Sequence, residues 1–389
     1  MQMTPLKGIK ILDCSNLLPG PYCTMILAAM GAEVVKVEPA GMGDFLRRML
    51  PECFAFLNRG KKSITLNLKM DEAREILYRE VKESDVMLEG FRPGVAKKLG
   101  IDFEKIKTIN PNIIYASISG YGQSGPYVSR PGHDIDFQAV SGVVSVTGDP
   151  DRQGGEPVGF QASDIAGGIF ALISILAALA GKKEKGEDKA EYFDISMTDS
   201  LIMWMLPRIV EYFSMGTPKR EDIMGRGAYG VFEAKDHKYL SIGVVEEHFW
   251  ERLCRLMDMN DLLEDPELRS WKGRNKNRHK IRPRLKQNFM TKDRDEWVRL
   301  LLEANITAAP VNEIKDLLAD PQIKYRGILG IDEKGKFTAQ KTKPYIVPEL
   351  TADLDDSPPP GLGEHSEEII GKLGYSPEEF KEFKEKGVI

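Results

Sequence analysis

Apolar positions along the chain keep two rhythms. Short runs rich in Val and Ile at residues 8–13, 33–37, 63–68, 86–89 and 113–119 read as buried strands. The amphipathic or apolar stretches at 21–30, 71–82 and 93–99 lie between them and read as helices. This alternation predicts an α/β lobe, a Rossmann-like and mostly parallel sheet covered by helices. Residues 165–180 form a long apolar stretch expected as a central helix, followed by a strand at 192–196 and a helix at 198–213. The Gly-rich, charged stretch 216–230 breaks the pattern and is expected to be a linker. Beyond it, strands at 231–234 and 239–244 and helices at 247–257, 280–290 and 293–303 predict a small α+β lobe over 231–320. Residues 1–215 are then the large lobe, and 321–389 return to it and end in a tail. Three consecutive prolines make 355–363 an extended linker, and the tail from Glu364 is expected to finish as a surface helix.

Composition narrows the function classes. A chain of 389 residues exceeds one typical domain. With 29% charged and 42% hydrophobic residues it has a globular profile, and its net charge of −5 argues against a nucleic-acid partner. The basic stretch 272–286 reads as a solvated helix face. Cys14, Cys23, Cys53 and Cys254 show neither disulfide nor metal-ligand spacing, which points to a reducing cytoplasm and no metal. Lys7, Lys10 and Asp13 interrupt the N-terminal stretch, so no signal peptide is expected. The apolar stretch 165–181 falls short of the roughly 20 residues that span a bilayer, so no membrane partner is expected either.

The candidate chemistry centres on His133 and Asp164. His133 follows a Pro-Gly break at or just before a helix start, where the helix dipole disfavours imidazolium and leaves a neutral base. Asp164 opens the long apolar helix, where the same dipole favours a carboxylate. Two bases of different kinds suit proton exchange at carbon. Taken singly, Asp164 reads as an N-cap and His133 as a satisfied buried side chain. The word Gly120-Tyr121-Gly122-Gln123-Ser124-Gly125 matches a dinucleotide fingerprint, but Pro126 and Pro131 prevent a helix from opening there. A nicotinamide-dependent oxidoreductase is therefore disfavoured, and the glycines read as a backbone wall beside His133.

In its words and their order the chain resembles the class III CoA-transferase superfamily, which includes α-methylacyl-CoA racemase. These words are Gly8–Asp13, Leu18-Pro19-Gly20-Pro21-Tyr22, Gly31–Glu38, Asn58–Ser63, Phe91-Arg92-Pro93-Gly94-Val95, Gly120–Pro126, Leu362-Gly363-Glu364-His365 and Leu373-Gly374-Tyr375-Ser376. The resemblance implies a large α/β lobe, a smaller lobe and an interlinked homodimer that binds an acyl-CoA thioester, with coenzyme A part of the substrate and no separate cofactor. It implies that Arg59, Lys61, Lys62 and Arg92 stand near the CoA phosphates, with ordinary surface charge as the alternative.

Within the superfamily the nearer resemblance is to the racemase branch. Gly132-His133-Asp134-Ile135 matches the word that supplies its histidine, and Gly243-Val244-Val245-Glu246 the word that supplies a partner carboxylate. That implies His133 and Asp164 as the two proton-transfer groups, Glu246 orienting His133, and Asp134 as added support or simply an early helix acid. The expected reaction is epimerisation at C2 of a 2-methyl-branched acyl-CoA. Phe137 and Phe160 depart from the racemase pattern, and residues 138–142 with 146–149 look more like a transferase. The alternative is CoA transfer between carboxylic acids through an aspartyl-CoA intermediate on Asp164. A non-catalytic acyl-CoA-binding protein is a third possibility.

Overall fold

The computed structural model describes residues 4–149, 155–185, 189–216, 219–338, 342 and 358–389. The chain divides into two compact units. The first comprises Met1–Val143, Val158–Leu206 and Pro321–Ile389, and the second comprises Val144–Pro157 and Pro207–Asp320.

The sheet of the first unit is formed by β1 (Lys10–Cys14), β2 (Glu33–Glu38), β3 (Lys62–Thr65), β4 (Val86–Glu89), β5 (Ile114–Ser119) and β6 (Glu191–Ser196). All pairings are parallel, in the order β3-β2-β1-β4-β5-β6. The covering helices are α1 (Pro19–Ala29), α2 (Asp71–Lys82), α3 (Phe103–Ile109), α4 (Asp134–Ser141), α5 (Ala162–Lys185) and α6 (Met197–Ser214). Alternate strand residues feed two cores. Ile11, Val34, Leu88 and Ala116 pack on the face with α1 and α5, whereas Leu12, Val35, Met87 and Tyr115 pack on the opposite face. A strand buried on both faces has no polar side, which explains the near-continuous apolar runs in the sequence.

The helix expected at 165–180 spans 24 residues, longer than its apolar centre suggested. By length and composition Ala162–Lys182 could cross a membrane. Here it lies against α1, β5 and β6, and Ala166, Ala171, Ile175 and Ala178 are buried. The C-terminal segment is more than a surface appendage. Ser63 N–H donates to His365 Nδ1 at 3.2 Å, His365 N–H to the Ser63 carbonyl at 2.9 Å, and Thr65 N–H to Ser366 Oγ at 3.2 Å. The Leu-Gly-Glu-His word thus caps the free edge of β3, and Ile369, Ile370 and Val388 join the core. The first three residues of the expected linker 355–363 lie outside the described residues, and Pro358–Pro360 are irregular.

The second unit holds an antiparallel sheet of β7 (Tyr229–Glu233), β8 (Tyr239–Gly243) and β9 (Ala308–Pro310), with Tyr239 opposite Glu233 and Ala308 opposite Ile242. Its core joins Phe232, Leu240 and Ile242 to Trp250, Leu285, Phe289, Trp297 and Leu301 from the helices α7 (Glu247–Leu256), α8 (Arg278–Phe289) and α9 (Arg294–Glu303). The division between units falls at Pro207, within α6, not in 216–230, and Val144–Pro157 also belongs to the second unit.

Candidate active site

The strand order runs outward in both directions from the β1–β4 pair, so the loops after these strands diverge and leave a crevice at the carboxyl ends of the strands. A cavity of about 430 Å³ lies in this region, lined by Leu17 after β1, Phe91 and Arg92 after β4, and Gly120 after β5. His133 and Asp164 line the same cavity. Next to it, a cavity of about 300 Å³ is lined by residues after β1, β2 and β3, among them Ser15, Pro39 and Lys69. Asn16 and Phe91 line both.

The G-x-G-x-x-G word does form a wall of the larger cavity. A side chain at Gly120 would come within 2.3 Å of the Phe137 ring, which is buried beneath it and packs edge-on against Tyr121. Phe137 lines the cavity, but Phe160, the other departure from the racemase pattern, is 55% exposed and does not line it.

Asp164 lies in the first turn of α5. The residue that caps this helix is Asp134. Its Oδ1 accepts from Ser163 N–H at 2.8 Å, Ser163 Oγ–H at 2.5 Å and Asp164 N–H at 3.4 Å, and its Oδ2 accepts from Gln138 Nε2 at 2.6 Å. One carboxylate thereby joins the starts of α4 and α5. Burial, reinforced by the Asp134 charge, pushes the Asp164 carboxyl up to about 7. No side-chain hydrogen bond to that carboxyl occurs among the described residues. His133 is the N-cap of α4, and its N–H donates to Asp136 Oδ2 at 2.9 Å. Its side chain is exposed to solvent rather than enclosed in the core. Glu246 lies in the second unit, exposed, as the N-cap of α7.

Of the four cations expected near CoA phosphates, Arg92 alone lines the large cavity. Lys61 is a correction. Its ammonium is fully buried, with Thr24 Oγ1 at 2.7 Å, Asn58 Oδ1 at 2.9 Å, and Asp13 Oδ2 and the Pro21 carbonyl each at 3.2 Å. Burial pulls the Lys61 amine down to about 8. Asp13 is held at about 2, because Lys61, Lys36 and the hydroxyls of Ser15 and Thr24 outweigh the upward push of burial. Arg59 is another correction, since it is 2% exposed and donates to the Thr342 carbonyl. Lys62 begins β3, at the end of the sheet remote from the cavities, and pairs with Glu33 at 2.9 Å and Glu368 at 3.1 Å.

Cations absent from the sequence reading do face the cavities, Arg130 the larger and Lys69 the smaller. Glu89 was also missed. It is 2% exposed and accepts from Phe91 N–H at 2.7 Å and from Ser117 Oγ, and burial pushes its carboxyl up to about 7. All three sit at or just beyond a strand's carboxyl end or beside the β5 loop, a position that could have flagged them.

A doubly wound sheet with a carboxylate in its switch-point cavity is an enzyme-like arrangement. Comparison with known proteins makes the class specific, because the model of CoA-transferase family III matches residues 6–366. This chain belongs to CoA-transferase family III and is an enzyme of that family. It is 33% identical over 336 residues to an acetyl-CoA:oxalate CoA-transferase of Acetobacter aceti, covering 84% of this chain and 85% of that one. It is 30% identical over 401 residues to a succinyl-CoA:glutarate CoA-transferase of Homo sapiens, covering 99% and 90%. A CaiB/BaiF family protein of Brucella suis superposes with a TM-score of 0.81 at 32% identity, covering 96% and 100%. These relatives favour the transferase alternative over the racemase expectation.

Proposed function

We propose that the protein transfers coenzyme A between carboxylic acids, with Asp164 as the nucleophile. The observation that carries this reading is the Asp164 carboxyl, which faces the switch-point cavity with no hydrogen-bond donor on it among the described residues. An oxygen that must form a bond to an acyl carbon reacts best when no donor occupies its lone pairs.

In the first step a carboxylate oxygen of Asp164 attacks the thioester carbonyl of the donor. The C–S bond breaks, leaving a mixed anhydride and CoA thiolate. The thiolate then attacks the Asp164 carbonyl, releasing the first acid as its carboxylate and leaving an aspartyl-CoA thioester. The acceptor carboxylate attacks that thioester and expels the thiolate, which attacks the acceptor's acyl carbonyl and restores Asp164. No net proton or electron is consumed. Asp134 holds the start of α5, and with it Asp164, in place, while Arg92 and Arg130 supply positive charge at the cavity for anionic substrates.

The names of the relatives support an acyl-CoA donor and a carboxylate acceptor, and oxalate and glutarate are natural first acceptors to test. A homodimer fits the same reading. Trp204 and Met203 on α6 and Ile135 and Val140 on α4 are each more than 40% exposed, apolar surface that a second copy would cover.

Epimerisation at C2 is the second reading, favoured by the presence of His133 and Asp164 on one cavity. It also requires Glu246 to orient His133. Turnover of acetyl-CoA or succinyl-CoA with each acid, quenched in hydroxylamine, separates the two. A hydroxamate on Asp164, detected by peptide mass spectrometry, with near-normal turnover in His133→Ala is the expected result. Deuterium entering C2 of a 2-methylacyl-CoA in deuterium oxide without any acceptor acid, and lost in His133→Ala, would establish the epimerase instead.

A further inference from the structure

Leu17, at the tip of the β1 loop, has φ of 61°, the left-handed region that disfavours any side chain with a Cβ. The loop separates the two cavities, since Ser15 and Asn16 line the smaller and Asn16 and Leu17 the larger. A non-glycine residue stays in this conformation only where its surroundings hold it there. Here Leu17 N–H donates to Asp44 Oδ1 at 3.1 Å, and the same oxygen accepts from Leu46 N–H at 2.9 Å. Lys36 Nζ lies 2.9 Å from Asp44 Oδ2 and donates to the Ser15 carbonyl at 3.0 Å, and both side chains are almost wholly buried. Asp44 is tied down in turn. Its N–H donates to Glu38 Oε2 at 2.9 Å, and Arg47 clamps the Glu38 carboxylate with two contacts of 2.7 Å.

We propose that Asp44, supported by Lys36, is a positioning residue for acyl-CoA. Its carboxylate selects the left-handed turn at Leu17 and so fixes the Ser15–Leu17 backbone, of which Asn16 lines both cavities. It also anchors the segment that begins at Met42, on the facing wall of the smaller cavity. A pair kept only for core stability would not need to bond the one strained residue of this loop. The inference rests on the CoA-transferase reading of the two cavities.

The test uses the full chain, with free CoA as the probe in isothermal titration calorimetry. Asp44→Ala, which removes the oxygen that accepts from Leu17 N–H, is expected to weaken CoA binding about tenfold, because the left-handed turn at a leucine is then no longer favoured. Leu17→Gly removes an apolar wall and weakens binding to some degree of its own. In the Leu17→Gly background, however, Asp44→Ala should cost only about twofold, since glycine adopts the turn without penalty. That rescue is not expected of a residue that only stabilises the fold. If Asp44→Ala does not fold because Lys36 is left as an unpaired buried charge, Asp44→Ala combined with Lys36→Met carries the same comparison with no stranded charge. Folded variants that bind CoA as tightly as the unaltered protein, or costs that simply add, would overturn the inference. Absence of CoA binding by the unaltered protein would overturn the underlying reading instead.

Discussion

Asp164→Asn should stabilise the fold above neutral pH while removing turnover. The cavity pushes the Asp164 carboxyl from 3.8 up to about 7, through burial first and the Asp134 charge second. Between these values the folded chain holds a proton that the unfolded chain has released. Stability associated with this group is therefore complete below about pH 4, falls as pH rises toward 7 and is level beyond it. At 1.36 kcal/mol per pH unit, the interval sets an upper bound of about 4 kcal/mol. Solvent reaches part of the side chain, and screening brings the expected effect to about 2 kcal/mol. Asparagine keeps the shape and discards the charge. Urea unfolding followed by circular dichroism should therefore show the variant about 2 kcal/mol more stable than the unaltered protein at pH 8 and equal to it near pH 4, with the same denaturant slope. A variant no more stable at pH 8, or equally stabilised at both pH values, would refute the claim that ionising Asp164 is costly in this cavity.

Other outcomes follow from the same geometry. If ionised Asp164 is the nucleophile, kcat/KM should fall about tenfold per pH unit below about 7, and Asp134→Asn should move that limb to lower pH by removing the neighbouring charge, as a pH–rate profile would show. Lys61→Met should cost about 3 kcal/mol of stability, because it strips Asp13 of its buried partner, and should leave CoA affinity of the folded protein near normal. Calorimetric binding that collapses while unfolding is unchanged would return Lys61 to the phosphate site.

The large sheet was legible because its strands are short apolar runs separated by helices with clear periodicity, and Val86–Glu89 and Asp71–Lys82 fall where the pattern places them. The strand Ala308–Pro310 was not legible. It lacks β-branched residues and ends in proline, and it is a strand because Leu240–Ile242 pair with it. Val144–Pro157 groups with Pro207–Asp320 although α5 lies between them in the chain, a grouping that sequence order alone does not announce. At the site, His133 and Asp164 could be named because each stands at a helix start. The fate of Lys61 could not be read, as Asp13 and Thr24 lie 48 and 37 residues away from it. A run of three basic residues in four looks alike whether it meets phosphate or a buried carboxylate.

The contrast between transferase and racemase turns on how firmly each group is held. Inverting a carbon needs an acid and a base fixed on opposite faces at once, so both side chains must be preorganised. Asp164 meets that demand. It rides on the first turn of a 24-residue helix, and Asp134 ties that turn to the preceding helix through Ser163. For His133 the anchor is on the main chain, where its N–H meets Asp136, and the side chain is open to solvent. A carboxylate that is positioned by its helix, partly desolvated and free of donors among the described residues suits nucleophilic catalysis by one residue, which makes no demand on the solvent-facing imidazole. The Gly-His-Asp-Ile word is then explained by its third member. Asp134 caps the helix that carries Asp164, so the aspartate has a structural task in this cavity whichever side chain precedes it.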